Sequence, residues 1–335
     1  MQLKIDIDIE TFYNIYNVLS YNAFINIVMG GRGIGKTTQF LIWALKRRRD
    51  YGEEFIYLRR YKTETANQDK LLDKIIDGVT FKGNKNGGGT YYWNNHILGY
   101  CISLSTSRNF KSVNFDRVKY IIYDEAIIKQ TATNRYLKNE VDELLEFLST
   151  VFRLRTGVRC FVLGNNLDYF NPYCAYFNIE LFNKIYYDKD RSIYIEYAKD
   201  SPKLREIESE TPLYKLTKGT TYHDYHYNND VLVKNKVTCS KKYDNDKLRL
   251  RIIMNNYTLN IYIRSNQKLF IECKRKVIND DICYPILKDN NINYYYANEF
   301  KARWLKVMQY KYYNDEIEYN SQDAYNLFEM LIDMY

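Results

Sequence analysis

The chain has 335 residues, a formal net charge of +8 and 46% hydrophobic residues. That length supports two or three cores, and that hydrophobic content excludes a disordered chain. No apolar run approaches the roughly 20 residues that cross a bilayer, and the opening MQLKIDIDIETF lacks the basic start and apolar block of a secretion signal.

The first half alternates strand-like and helix-like segments, which predicts a mainly parallel sheet covered by helices. The first strand-like run, FINIVM, leads into Gly30–Thr37, GGRGIGKT, and then into the helical TTQFLIWALKRRRDYG. Strand, G-x-x-x-x-G-K-[ST] and helix together predict a phosphate-binding loop. Gly30, Gly33 and Gly35 let bare backbone wrap a phosphate. Lys36 supplies a point charge to the outer phosphates, and Thr37, with Thr38 beside it at the helix start, offers a hydroxyl to Mg²⁺. The spacing does not fit the dinucleotide fingerprint, whose third glycine would fall on Lys36.

EFIYLRR reads as the next strand. FKGNKNGGGTYYWNNHILGY reads as an inserted hairpin with Gly87–Gly89 in its turn. YIIYDE then places Asp124 and Glu125 at the C-terminal edge of a buried strand, where open α/β sheets carry their sites. Asp124 is the expected metal carboxylate and Glu125 the expected water-polarising base. The adjacent glutamate points to hydrolysis, since a small-molecule kinase needs no such base. NEVDELLEFLSTVFRLR reads as a helix ending at Arg153 and Arg155. These two are candidates either for a trans-acting arginine or for cations that suit a helix C-terminus. RCFVLGNN is another strand, with Asn165 a candidate γ-phosphate sensor.

Residues 201–230, with two prolines and little periodicity, read as a linker with local helix. DKLRLRIIMNNYTLNIYIRSNQKLFIECKRK then reads as three strands, and NEFKARWLKVMQYKYY and SQDAYNLFEMLIDMY as helices. The expected organisation is therefore 1–200, 201–230 and 231–335. Residues 231–311 carry 17 basic and 7 acidic side chains, and 312–335 carry 6 acidic and no basic ones. That pattern suits a polyanion partner as well as an ordinary solvated surface. The six cysteines (101, 160, 174, 239, 273, 283) form no C-x-x-C pair and read as thiols of a reducing compartment. His223 and His226 lack a third ligand and make a poor metal site.

At FYNIYNVLSY, GGRGIGK, YGEEFIYLRRYK, YDE, NEVDELLEFLSTVFR, RCFVLGNN with NPY, GTTY and NNYTLNIYI, the chain resembles the DNA-packaging ATPases of small protein-primed podophages, the phi-twenty-nine-like family. The resemblance spans essentially the whole chain and is closer in the first domain. It implies an additional-strand, conserved-glutamate (ASCE) P-loop ATPase domain, a short helical linker, and a small α+β RNase H-like C-terminal domain without nuclease activity. It implies ATP and Mg²⁺ as cofactors. The implied assembly is a homo-pentamer on double-stranded DNA at the portal of a procapsid, in the host cytoplasm and outside the mature virion; some relatives also use a packaging RNA. Lys36, Thr37, Asp124, Glu125 and Asn165 fall on the family's catalytic positions and Arg32 on its loop arginine. Arg153 falls on its trans-acting finger, and Arg155 stays unassigned. Lys111 falls on a basic residue at subunit contacts, and Lys62 on a channel-facing loop that contacts DNA.

The leading strand of the second domain, LRLRIIMNNYTLNIYI, holds no acid, and Glu272, Asp280 and Asp281 lack that partner. Two-metal cleavage is therefore not expected. Lys241, Lys242, Arg249 and Arg251 are instead candidates for non-specific phosphate contacts. The competing readings are a different P-loop enzyme, such as a nucleotide kinase or DNA-transfer ATPase, and a scaffold that binds nucleotide without hydrolysis.

Overall fold

A computed structural model describes residues 1–85, 87–128, 135–165, 171–177, 179, 185–220, 222–223, 227, 239–254, 257–275, 283–285 and 300–334. His226, Asp280 and Asp281 lie outside these described residues. Strands β1 (Ile25–Gly30) and β2 (Glu54–Arg59) are buried along their whole length. Continuous apolar runs of this kind suit strands covered on both faces. Ahead of both, helix α1 (Ile15–Ser20) starts on the Asn14 side chain, which accepts from the Tyr16 N–H. Helix α2 (Lys36–Tyr51) begins after Gly35 and ends at Gly52, both left-handed, with φ of 81° and 72°. The Gly52 N–H closes back onto the Arg48 carbonyl, which stops the helix.

Strands β3 (Val79–Gly83), β4 (Gly89–Trp93) and β5 (His96–Ser103) form an antiparallel meander. The single inserted hairpin expected from the sequence is thus two. The first turn is the glycine-rich one; the second is Asn94–Asn95, both at positive φ, 47° and 63°, as a tight two-residue hairpin turn demands. β5 then lies parallel to β2, so the insertion widens the main sheet. Strand β6 (Val118–Ile127), helix α3 (Glu140–Phe152), strand β7 (Arg159–Gly164), the short helix α4 (Pro172–Tyr176) and strands β8 (Ile185–Asp188) and β9 (Ile193–Ala198) follow.

The nine strands order as β3-β4-β5-β2-β6-β7-β1-β9-β8. The five central pairings, from β5 through to β9, are parallel. β7 lies between β1 and β6, and this intervening strand makes the domain an ASCE P-loop fold. Helices α5 (Pro202–Ser209) and α6 (Pro212–Thr217) each start on a hydroxyl cap, Ser201 or Thr211, followed by proline.

The second sheet holds β10 (Lys247–Met254), β11 (Tyr257–Ile263), β12 (Leu269–Lys274), β13 (Cys283–Pro285) and β14 (Ile317–Tyr319). β10, β11 and β12 are an antiparallel meander, and β13 joins β10 in parallel. This is the 3-2-1-4 strand order of an RNase H-like domain, extended by β14 beside β12. Helix α7 (Lys306–Tyr313) follows a π turn over Lys301–Leu305, and α8 (Gln322–Met334) adds Leu327, Phe328 and Leu331 to the core that holds Leu259 and Ile271. Contacts divide the chain into two compact units, Met1–Leu167 with Phe182–Leu232, and Asp168–Leu181 with Val233–Tyr335. Among the described residues no helix is long and apolar enough to cross a membrane.

One buried carboxyl ties the first sheet to the segment ahead of it. Glu196 on β9 is 5% exposed and accepts hydrogen bonds from the hydroxyls of Tyr13 and Tyr194. Burial pushes its carboxyl above the ordinary value, and the two hydroxyls do not offset that. A carboxyl with a raised folded pKa stabilises the fold most below its unfolded pKa, and loses that contribution as pH rises through the folded value. Glu196→Gln keeps an acceptor for the hydroxyls and removes the charge. The stability of the wild type relative to Glu196→Gln should fall as pH rises above the ordinary carboxylate range, read from urea unfolding at each pH. A difference that stayed flat or grew would contradict the raised pKa.

Candidate active site

The loop between β1 and α2 is built around its glycines. A β-carbon at Gly30 would stand 2.8 Å from Ile34 Cδ1 and 3.0 Å from Ala198 Cβ, so the strand end has room for glycine only. Gly33 and Gly35 take φ of 88° and 81°, which an L side chain resists. Lys36 is 5% exposed, and its Nζ donates to the carbonyls of Gly30 at 3.1 Å and Gly31 at 2.7 Å. Burial pushes its ammonium down to about 8, against the opposing pull of Asp124 and Asp200. Arg32 and Thr38 are exposed.

The Thr37 hydroxyl donates to Asp124 Oδ1 at 2.9 Å. This bond joins the start of α2 to the end of β6 across the intervening β7. Tyr57 on β2 donates to the other oxygen of Asp124 at 2.8 Å. Asp124 and Glu125 do not sit on a regular strand end. The β6–β7 register jumps from Tyr123↔Val162 to Ile127↔Gly164, so β6 carries two extra residues and bulges there. Glu125 has φ of 51°, uncommon for a residue with a β-carbon. The bulge keeps both acidic side chains within reach of one guanidinium, that of Arg59, while giving them different further partners. Asp124 faces Thr37 and Tyr57, while Glu125 Oε2 accepts from Arg59 at 2.6 Å. Arg59 also lies 3.6 Å from Asp124 and 3.7 Å from Glu64. The sequence reading took Lys62 from YLRRYK and passed over Arg59 and Tyr57. The usable signal was their place at the end of a fully buried strand beside the acidic one.

Bare glycines, a buried ammonium, and a hydroxyl paired with one carboxylate are a donor set that fits a nucleoside triphosphate with Mg²⁺. No group of three or more His, Cys, Asp or Glu that could hold a metal occurs among the described residues. A metal at this site would therefore draw further ligands from phosphate and water, as Mg²⁺ commonly does.

Asn165 follows Gly164, which pairs with both Met29 of β1 and Ile127 of β6. It is half-buried at the edge between the loop strand and the acidic strand. Arg153 and Arg155 differ sharply. Arg155 donates to four backbone carbonyls, those of Val151, Phe152, Asp116 and Val118, and so fastens the end of α3 to the start of β6. Arg153 is exposed and caps α3 with φ 51° and ψ −126°, a combination that glycine adopts readily and a β-carbon resists. The start of α3, Glu140, lies against the acidic bulge through Arg60. Thirteen residues of helix span roughly 20 Å, so Arg153 stands at the end of α3 remote from its own Glu125. Lys111 is exposed after a 3-10 segment over Leu104–Phe110. Lys62 begins a 3-10 turn directly after β2 and donates to the Lys85 carbonyl at 3.0 Å.

In the second unit Lys241, Lys242 and Arg249 are exposed, with Lys242 Nζ 5.0 Å from the Tyr262 ring. Arg251 is half-buried and donates to Asn260 Oδ1 at 2.9 Å, and Asn260 donates in turn to Glu272 at 2.9 Å. Burial pushes the Glu272 carboxyl up, but Asn260, Lys274 and Tyr262 outweigh it and hold it below the usual range. Glu272 Oε2 is thus engaged by three neighbours in its own sheet, Asn260, Tyr262 and Lys274. His223 is buried among the rings of Tyr214 and Tyr227, as a packed aromatic side chain.

The chain is similar to known proteins along most of its length. The model of the family described as podovirus DNA encapsidation protein (Gp16) matches residues 7–324. The DNA packaging protein of Bacillus phage phi29 is 29% identical over 334 residues, covering 97% of this chain and 99% of its own. That of Bacillus phage B103 is 31% identical over 252 residues, covering 75% and 78%. Among solved structures, a chain of the bacteriophage phi29 viral genome packaging motor assembly aligns with a TM-score of 0.62 and 27% identity, covering 97% of this chain and all of its own. The N-terminal domain of the phi29 DNA packaging ATPase aligns with a TM-score of 0.50 and 34% identity, covering 56% and 95%. The chain belongs to the podovirus DNA encapsidation protein (Gp16) family.

Proposed function

We propose that this DNA-packaging protein is an ATP-hydrolysing ring motor that translocates double-stranded DNA into a procapsid, with the loop of Gly30–Thr38 and the carboxylates Asp124 and Glu125 as its hydrolytic site. The observation that carries the reading is the Thr37–Asp124 bond of 2.9 Å with Glu125 on the same bulge. It brings a metal-type hydroxyl and carboxylate beside a second carboxylate, itself paired with Arg59. Lys36, Thr37 and Asp124 are the residues that would hold Mg²⁺-ATP, which supplies the transferable γ-phosphoryl group and the metal that offsets its charge.

Glu125 has the role of positioning and deprotonating the attacking water. Its carboxylate is engaged by Arg59 at 2.6 Å, so it serves a water only after that pair opens. Asn165, one residue beyond the strand between the loop and the bulge, is suited to report the outer phosphate. Arg32, exposed inside the loop, is a further phosphate contact. Arg153 is directed to a neighbouring subunit, because α3 carries it away from its own base. Lys111 is assigned to the same subunit boundary. Lys62, Lys241, Lys242, Arg249 and Arg251 are DNA-contact candidates. The absence of any acid from β10 and the engagement of Glu272 Oε2 by Asn260 and Tyr262 support a second domain that grips phosphates without cutting. Portal, five-fold ring and packaging RNA belong to the same proposal through the family resemblance; the phi29 match itself is to a chain of a viral genome packaging motor assembly.

Glu125→Gln should bind a labelled ATP analogue as the wild type does and lose turnover by about a hundredfold or more in a DNA-stimulated ATPase assay; normal turnover would remove Glu125 from the base role. Arg153→Gly separates strain from function. Relief of the unfavourable backbone should stabilise the fold by about 1 kcal/mol in urea unfolding, while packaging-linked turnover collapses. Mixed with Glu125→Gln subunits, which retain Arg153, it should regain part of the activity. No recovery at any mixing ratio would count against action in trans. DNA stimulation should weaken steeply as salt is raised, and a response indifferent to salt would argue against a phosphate grip.

A further inference from the structure

The bulge that carries Glu125 has an unusual backbone problem. Asp124–Ala126 fall in the gap of the β6–β7 register, and the β2–β6 pairing ends at Leu58↔Tyr123. The carbonyls of Glu125 and Ala126 therefore lack strand partners in a region where Asp124 is 8% and Ala126 0% exposed. Buried carbonyls need donor partners from somewhere. Both find them in one side chain. Arg60, the residue after β2, donates to Glu125 O at 3.2 Å and to Ala126 O at 2.6 Å. The guanidinium is itself gripped by Glu140 at the start of α3, through Nε at 2.6 Å and Nη2 at 3.1 Å. Glu140 also accepts from the Tyr123 hydroxyl at 2.9 Å and from the Leu137 N–H at 2.8 Å. Both members of the ion pair are 1% exposed. Desolvating such a pair is costly, so a purely apolar contact would serve the core at least as well.

We propose that Arg60, clamped by Glu140, is a positioning residue for hydrolysis: it fixes the strained backbone of Glu125 so that this carboxylate, and not the regular strand end, faces the phosphate loop. Arg60 touches neither nucleotide nor water in this arrangement; it acts through the carbonyls. It is distinct from Arg59, which binds the Glu125 side chain. The planar fork of arginine is essential, since a lysine ammonium cannot bridge two carbonyls and a bidentate carboxylate at once. The inference rests on the reading of Glu125 as the base.

The test uses the full chain in the DNA-stimulated ATPase assay, well below the melting temperature. Arg60→Lys keeps the charge facing Glu140 and loses the fork. It should lower kcat roughly ten- to hundredfold, with KM for ATP and analogue binding within about twofold of wild type. Hydrogen exchange should accelerate at the amides of 124–127 and stay as before along β1 and α2. Glu140→Gln, which retains an acceptor oxygen, should show the same split in milder form and serves if Arg60→Lys does not fold. Leu98→Ala, a core truncation on β5 remote from the bulge, is the control for lost stability. If it lowers kcat as much as the pair variants at equal melting temperature, the pair is merely structural and the proposal fails. Wild-type kcat in both pair variants, with Glu125→Gln inactive, overturns the positioning role alone; an active Glu125→Gln overturns the reading beneath it.

Discussion

One hydrogen bond, from the Thr37 hydroxyl to Asp124, governs the layout of the first domain. Its two partners begin on strands that are not neighbours, since β7 lies between β1 and β6. The helix start and the strand end meet across β7, whose last residue, Gly164, pairs with both flanking strands. Gly164 has no β-carbon, and one there would come within 2.6 Å of Ile127 Cβ. The same closeness brings Asn165 to the rim of the site. Much of the sheet's order can be understood as the scaffold that lets a hydroxyl on one element reach a carboxylate on another, with Lys36 buried between them.

The second constraint is that two adjacent carboxylates must do different work. Along a regular strand, successive side chains point to opposite faces, and one of the pair would be lost to the far side of the sheet. The bulge in β6 avoids this. It lets Asp124 turn to Thr37 and Tyr57 and lets Glu125 turn to Arg59. The bulge carries backbone strain at Glu125, and its carbonyls leave the ladder. Arg59 and Arg60, consecutive at the end of β2, answer the two consequences separately: one engages the side chain and the other the backbone. A strand that ends in two arginines is therefore as much a part of the site as the glycine loop.

Lys36, Thr37, Asp124 and Glu125 were legible in the sequence because each pair of partners lies inside one short string, and the strings carry their own strand and helix flanks. The parallel core was legible for the same reason, since its strands are continuous apolar runs. What the sequence hid depends on distance along the chain. Arg59 is 66 residues from Glu125 and Arg60 is 80 from Glu140, and nothing local marks either pair. The meander over 79–103 read as one hairpin because its third strand gains its identity from β2, a neighbour across the sheet. β8 and β9 went unread because IYYDKDRSIYIEYA mixes tyrosines and charges, and Glu196 in the middle is buried by tyrosine hydroxyls that hydropathy does not reveal. Arg153 and Arg155 looked equivalent as text. Four backbone carbonyls separate them in space.

That separation bears on how a ring of such chains works. Arg155 draws the end of α3 onto the start of β6 with bonds that regular helix termini rarely possess, leaving Arg153 at a backbone angle where glycine would be more comfortable. A fold under selection for stability alone would place glycine there. The side chain is kept despite the strain, outside its own site, on a helix whose other end is bound to the backbone of its own base through Arg60 and Glu140. Under the proposed roles, one element would carry at opposite ends the residue directed to a neighbour and the support of the residue that serves its own phosphate. A load placed on Arg153 would then reach the Glu125 bulge along α3 and through the buried, charge-assisted hydrogen bonds of Glu140 and Arg60.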